Sequence, residues 1–138
     1  MPESFQHFAT DFIEAWNAHD VERVTSFYAP DYEEIDVAQT DVQRGREGIR
    51  RRLIYYLRAF PDLQVSLDAC IVEDSRVVLF WTWRGTHRGT FMRIPPTGRP
   101  VAVRGTSLLT LENGHIRHGV RVWDLAGLLR SVGLLPEL

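Results

Sequence analysis

His87 and Asp124 have the sequence settings best suited to proton chemistry. His87 lies in Arg84-Gly85-Thr86-His87-Arg88-Gly89-Thr90-Phe91, between two glycines near the end of a strand pattern. Glycines there allow backbone or ligand to come close, and a histidine can act as acid or base near neutral pH. It can equally hydrogen-bond a neighbouring strand or loop. Asp124 precedes Leu125-Ala126-Gly127-Leu128-Leu129, where a carboxylate makes a good helix N-cap. Capping competes with action as a base, so both readings stand. The other histidines offer less. His7 falls on a helix and His19 in a turn, while His115 and His118, three apart on a strand, point to opposite faces. No His/carboxylate set has ligand spacing, so no metal is expected. Gly45-Arg46-Glu47-Gly48 has no preceding strand pattern and no lysine, unlike a phosphate loop. Ser107 has no adjacent histidine, and Gly-x-Ser-x-Gly is absent. The single Cys70 excludes an intramolecular disulfide and a multi-thiolate zinc site.

Periodicity indicates which elements hold these groups. Phe5, Phe8, Phe12 and Trp16 follow helical spacing and predict an amphipathic helix over about 3–18. Asp20 is placed to cap a second helix over 20–29, with Val21, Val24, Phe27 and Tyr28 buried and Pro30 as its stop. A third, over 46–60, buries Ile49, Leu53, Tyr56, Leu57 and Phe60. Its Arg50, Arg51, Arg52 and Arg58 lie mostly on the other sides, as a solvated face or, alternatively, an RNA contact. After Pro61 the period becomes two. Strands are expected around Leu63–Leu67, over Val77–Arg88, and over 101–111 and 115–123 joined by an Asn113-Gly114 turn. A short helix runs from Asp124 to about Val132. Helices followed by antiparallel strands give an α+β domain with four to six strands.

Composition narrows the function classes. Apolar residues make up 44% and charged residues 25% of 138, as in one globular domain spanning 1–138. Sixteen arginines and no lysine stand against 18 acids, a net charge of −2, so nucleic acid is not an expected partner. Without lysine there is no Schiff-base chemistry. The chain opens without a leader pattern, and its longest apolar run, Val77–Trp81, is too short for a membrane span, so a cytoplasmic protein is expected. Four Trp, four Tyr and seven Phe either fill the core or wall a cavity for a flat apolar ligand. Val78, Phe80, Val120 and Val122 are apolar on the parity opposite to Trp81, Trp83, Gly119 and Arg121. Helices can cover only one such face, which predicts a homodimer across the other.

Ala15-Trp16-Asn17-Ala18-His19-Asp20, Tyr28-Ala29-Pro30-Asp31-Tyr32, Gly85-Thr86-His87-Arg88-Gly89, Pro95-Pro96-Thr97-Gly98-Arg99 and Trp123-Asp124-Leu125-Ala126-Gly127 together resemble SnoaL-like polyketide cyclases over nearly the whole chain. The resemblance implies the nuclear-transport-factor-2-like fold, three helices on a strongly curved mixed sheet with a short C-terminal helix. It also implies cofactor-free aldol ring closure of polyketide intermediates, with a strand aspartate as base and a histidine assisting. Aligned on Gly114-x-Ile116 and Trp123-Asp124, those positions hold Arg121 and Ser107, and an arginine cannot serve as base. The expected activity is therefore a cyclase, or a cyclase-derived hydroxylase or isomerase of antibiotic pathways. The alternative is a non-catalytic domain for a small aromatic ligand. Carried onto this chain, His87, Arg121 and Asp124 are the catalytic candidates, and Trp16, Tyr32, Trp83, Phe91 and Ser107 would bind substrate. A buried unpaired guanidinium costs several kcal/mol, so Arg121 should pair with Asp36 or Asp124 or await an anionic ligand.

Overall fold

Helix α1 (Pro2–Asn17) buries the stripe its spacing predicts, with Ala9, Phe12 and Ala15 in the core and Phe8 and Trp16 packed beside them. The structure, a computed structural model, describes residues 2–136. Asp20 caps α2 (Val21–Ser26), accepting from the Arg23 amide at 3.1 Å. This helix is shorter than expected. The chain leaves it at Phe27 and enters strand β1 (Tyr28–Asp36), so Pro30 lies within a strand and does not end a helix. Lacking an N–H, Pro30 sits where β1 breaks register with its neighbour, between Tyr28 and Glu33. The strand escapes the period-two reading because its inward positions carry Tyr32, Glu34 and Asp36.

A three-residue edge strand, β2 (Val42–Arg44), precedes α3 (Gly45–Ala59), so a strand does lead into Gly45. Four longer strands follow: β3 (Gln64–Glu73), β4 (Arg76–Thr86), β5 (Pro100–Glu112) and β6 (His115–Trp123). Asn113 and Gly114, at φ 53° and 79°, form the expected β5–β6 hairpin turn. The single curved sheet has the order β2-β1-β6-β5-β4-β3, and only β1–β6 is parallel. Helix α1 packs on β3 and α3 on β1, while α4 (Leu125–Ser131) covers β5.

Strand register decides which side chains meet. On the concave face, Leu79, Ser107, Arg121 and Asp36 occupy one rung, and Val77, Leu109, Gly119 and Glu34 the next. The Arg121–Asp36 neighbourhood is thus a product of pairing β1 with β6. On the opposite face, Ile71, Val78, Leu108, Val120, Ile35 and Val42 form an apolar rung across all six strands. Gly105 makes room for the Trp81 indole, since a Cβ there would lie 2.4 Å from the ring and 2.8 Å from the Val122 carbonyl oxygen. Backbone cannot yield cheaply. Gly105→Ala is expected to destabilise the protein by about 1–3 kcal/mol, measured by denaturant unfolding.

Candidate active site

Between the concave sheet face and helices α1 and α3 lies a cavity of about 60 Å³. Phe12, Trp16, Tyr28, Trp81 and Trp83 supply aromatic walls, and its polar lining is Glu34, Arg52, Ser107 and Arg121. Arg121 is 8% exposed. Its Nη1 donates to Asp36 Oδ2 at 3.1 Å and to the Tyr56 hydroxyl oxygen at 2.7 Å. The guanidinium carbon stands 5.2, 5.3 and 5.4 Å from the ring centres of Tyr56, Trp81 and Trp123. Burial opposes this charge, but Tyr56 and Glu34 outweigh it and hold the pKa above the ordinary arginine value. Asp36 is itself fully engaged, its Oδ1 accepting from Trp123 Nε1 and from the Ala38 amide, each at 2.9 Å.

A second ion pair, Arg52–Glu34, lies beside the first, with side chains 12% and 3% exposed. Arg52 precedes Tyr56 by one helical turn, and so shares its inward face and not the solvated face expected of the arginine run. Burial works against its charge too, and the Glu34 carboxylate reverses that, through its charge and its hydrogen bond, and raises the pKa well above normal. Gly119 faces Glu34 on the neighbouring strand, where a Cβ would come within 3.1 Å of Glu34 Oε1. Burial pushes the Tyr28 and Tyr32 phenols far up, which keeps both neutral. Donors remain for a ligand. Trp83 Nε1 and Arg52 Nε are buried without a protein partner, and Ser107, which accepts from Trp81 Nε1 at 3.0 Å, keeps its own proton to give.

The sequence profile of the SnoaL-like polyketide cyclases matches residues 6–132. The chain belongs to that family. Solved structures agree. AclR of Streptomyces galilaeus, described as a proposed hydroxylase, is 27% identical with a TM-score of 0.87, the match covering 100% of this chain and 85% of AclR. TsrD of Streptomyces laurentii is 28% identical with a TM-score of 0.88, over 98% of each chain. IdmH of Streptomyces antibioticus, a proposed polyketide cyclase, is 25% identical with a TM-score of 0.79, over 93% of this chain and 97% of IdmH. No curated protein sequence matches significantly. The fold is the nuclear-transport-factor-2-like fold that the resemblance implied.

Within this SnoaL-like site, Trp16, Trp83, Ser107 and Arg121 line one cavity, whereas His87, Tyr32, Phe91 and Asp124 lie outside its lining. His87 is buried, with Nδ1 accepting from the Thr97 amide at 3.2 Å and lying 2.9 Å from the Thr97 hydroxyl. Its proton therefore sits on Nε2, which has no partner. The flanking Gly89 serves close backbone approach: Arg88 and Gly89 donate to the Ala59 carbonyl at 2.9 and 3.1 Å, closing the end of α3. Tyr32 packs edge-on against Tyr28 at 4.5 Å, and Phe91 stacks on Tyr56 at 5.3 Å. Asp124 is exposed and caps α4, accepting from the Gly127 amide at 2.8 Å. Asp124→Asn should lower stability by about 1 kcal/mol or less, because asparagine also caps helices; thermal unfolding measures it. Glu34, Arg52 and Tyr56 are the site groups that the sequence reading did not assign. Among the described residues, no group of three or more His, Cys, Asp or Glu is placed to hold a metal, and no helix is long and apolar enough to cross a membrane.

Proposed function

We propose that this SnoaL-like protein is a cofactor-independent enzyme that enolises a carbonyl of a flat, polyketide-like or polycyclic aromatic substrate. The observation that carries this reading is that a buried, permanently charged guanidinium, Arg121, and a carboxylate, Glu34, line the same aromatic-walled cavity. A proton on the carbon beside the carbonyl passes to Glu34, and the C–H electrons form the carbon–carbon double bond as the carbonyl oxygen becomes an oxyanion. Arg121 and the Ser107 hydroxyl stabilise that oxyanion where little water competes. The enolate then attacks a second carbonyl of the same molecule, closing a ring as the proton held by Glu34 passes to the new alkoxide, or takes that proton back at another carbon, completing an isomerisation. Trp16 and Trp83 hold the flat ring system. His87, bonded to Thr97, and Asp124, capping α4, act through the fold and not on substrate.

The competing reading, a binding domain with no chemistry, draws on the pairing of all three charged lining groups: Arg52 with Glu34, and Arg121 with Asp36. Deuterium uptake from heavy water by 2-tetralone, a bicyclic enolisable ketone, separates the two. An enzyme accelerates exchange at the acidic methylene, seen by proton NMR, whereas saturable binding without exchange favours the binding domain.

The same reading includes a homodimer. Ile35, on the apolar rung described above, and Phe80 and Val122, on the next rung, remain exposed on the convex sheet face, and a second copy packed there would cover them. Sedimentation at micromolar concentration should give twice the chain mass, and Val122→Glu should halve it. A wild-type monomer contradicts this.

A further inference from the structure

Resting on the enolising-enzyme reading, we infer that a separate groove beside α3 is the second half of the substrate site, joined to the inner cavity when the Tyr56 side chain swings aside. Size motivates the inference. Cavities that enclose drug-sized ligands run to about 300–1,000 Å³, and the inner cavity, at about 60 Å³, falls far below that. The groove measures about 510 Å³. Arg52 and Tyr56 line both spaces, and Asp36, the partner of Arg121, lines the groove. The two volumes are thus divided by the side chains that hold the oxyanion site.

Stacked aromatic side chains form one wall of the groove. Phe91 stacks on Tyr55 and Tyr56 at 5.5 and 5.3 Å, with interplanar angles of 29° and 30°. Met92 lines the same space and is held by its amide donating to the Tyr55 hydroxyl. Met92 and Arg93 have φ of 50° and 65°, a left-handed pair of non-glycine residues that is costly unless the surroundings impose it. Gln39 and Asp41 form an exposed rim.

Tyr56 is the partition between the two spaces. Its hydroxyl oxygen accepts from Arg121 Nη1, and turning it away frees that N–H for a ligand oxygen, while a ligand ring takes over the contacts that the Tyr56 ring makes with the Arg121 guanidinium, Trp83 and Phe91. The occupant is a fused aromatic of three or more rings bearing an ionisable hydroxyl or an enolisable carbonyl. Its oxygenated end reaches Arg121, and its remaining rings lie along Tyr55 and Met92.

Calorimetric titration with phenol and with 2-hydroxyanthraquinone tests this, comparing wild type with Gln39→Trp and Asp41→Trp. Both substitutions place an indole at the exposed rim without touching the inner cavity. The expected result is at least about a tenfold loss of affinity for the tricycle, with phenol binding held within roughly twofold. Equal losses, no loss, or a wild type that takes phenol and refuses the tricycle overturns the groove and leaves the enolising reading standing. A wild type that binds neither probe overturns both.

Discussion

Arg121→Ala is expected to abolish enolisation and to lower the unfolding free energy by about 3–5 kcal/mol, the usual cost of stripping one partner from a buried ion pair. Asp36 is 6% exposed, and without Arg121 it keeps only the Trp123 indole and the Ala38 amide as donors. Denaturant unfolding measures the loss. Replacing both partners, Arg121→Met with Asp36→Leu, should recover much of the stability, since well-packed apolar side chains often match or exceed a buried pair. The double variant should stay inactive. Stability regained without exchange activity separates the charge needed for chemistry from the pairing needed for folding. Recovery of activity in the double variant would show that Arg121 does not hold the oxyanion.

Glu34→Gln addresses the proton acceptor. The amide matches the carboxylate in shape, fits the space Gly119 leaves, and still offers Arg52 an oxygen, but it is a very poor base. The exchange rate on 2-tetralone should fall by about 10²–10⁴, the usual range for a general base, with the Michaelis constant nearly unchanged. The stability cost should be about 1–3 kcal/mol, because Arg52 loses a charged partner and keeps a hydrogen-bonded one. Undiminished exchange in Glu34→Gln would remove Glu34 from the mechanism.

The parts of the fold that announced themselves are those where burial and apolar chemistry coincide. The Phe5-Phe8-Phe12-Trp16 stripe gave α1, Asp20 and Asp124 gave the caps of α2 and α4, and Asn113-Gly114 gave the β5–β6 hairpin. Strand β1 failed that test because its inward positions, Tyr32, Glu34 and Asp36, carry the site's polar groups. Arg52 was hidden for the same reason. An arginine within an arginine run reads as solvated, and only its one-turn spacing from Tyr56 signalled an inward side chain. The need of Arg121 for a carboxylate was legible from the cost of burying it, and Asp36 was one of two partners named. Choosing between Asp36 and Asp124 required the parallel register of β1 with β6, which joins segments 85 residues apart. His87 shows the limit of local context. Its glycine-flanked setting was visible, but not that Gly89 closes the end of α3.

The central claim is that the cavity holds an oxyanion against Arg121, and the ionisation state of bound 2-naphthol tests it most directly. Titrated into the protein at neutral pH, where free 2-naphthol is the neutral phenol, the ligand should show the naphtholate absorption band once bound. In Arg121→Met with Asp36→Leu that band should vanish. Saturable binding with the neutral naphthol spectrum in the wild type would contradict the account.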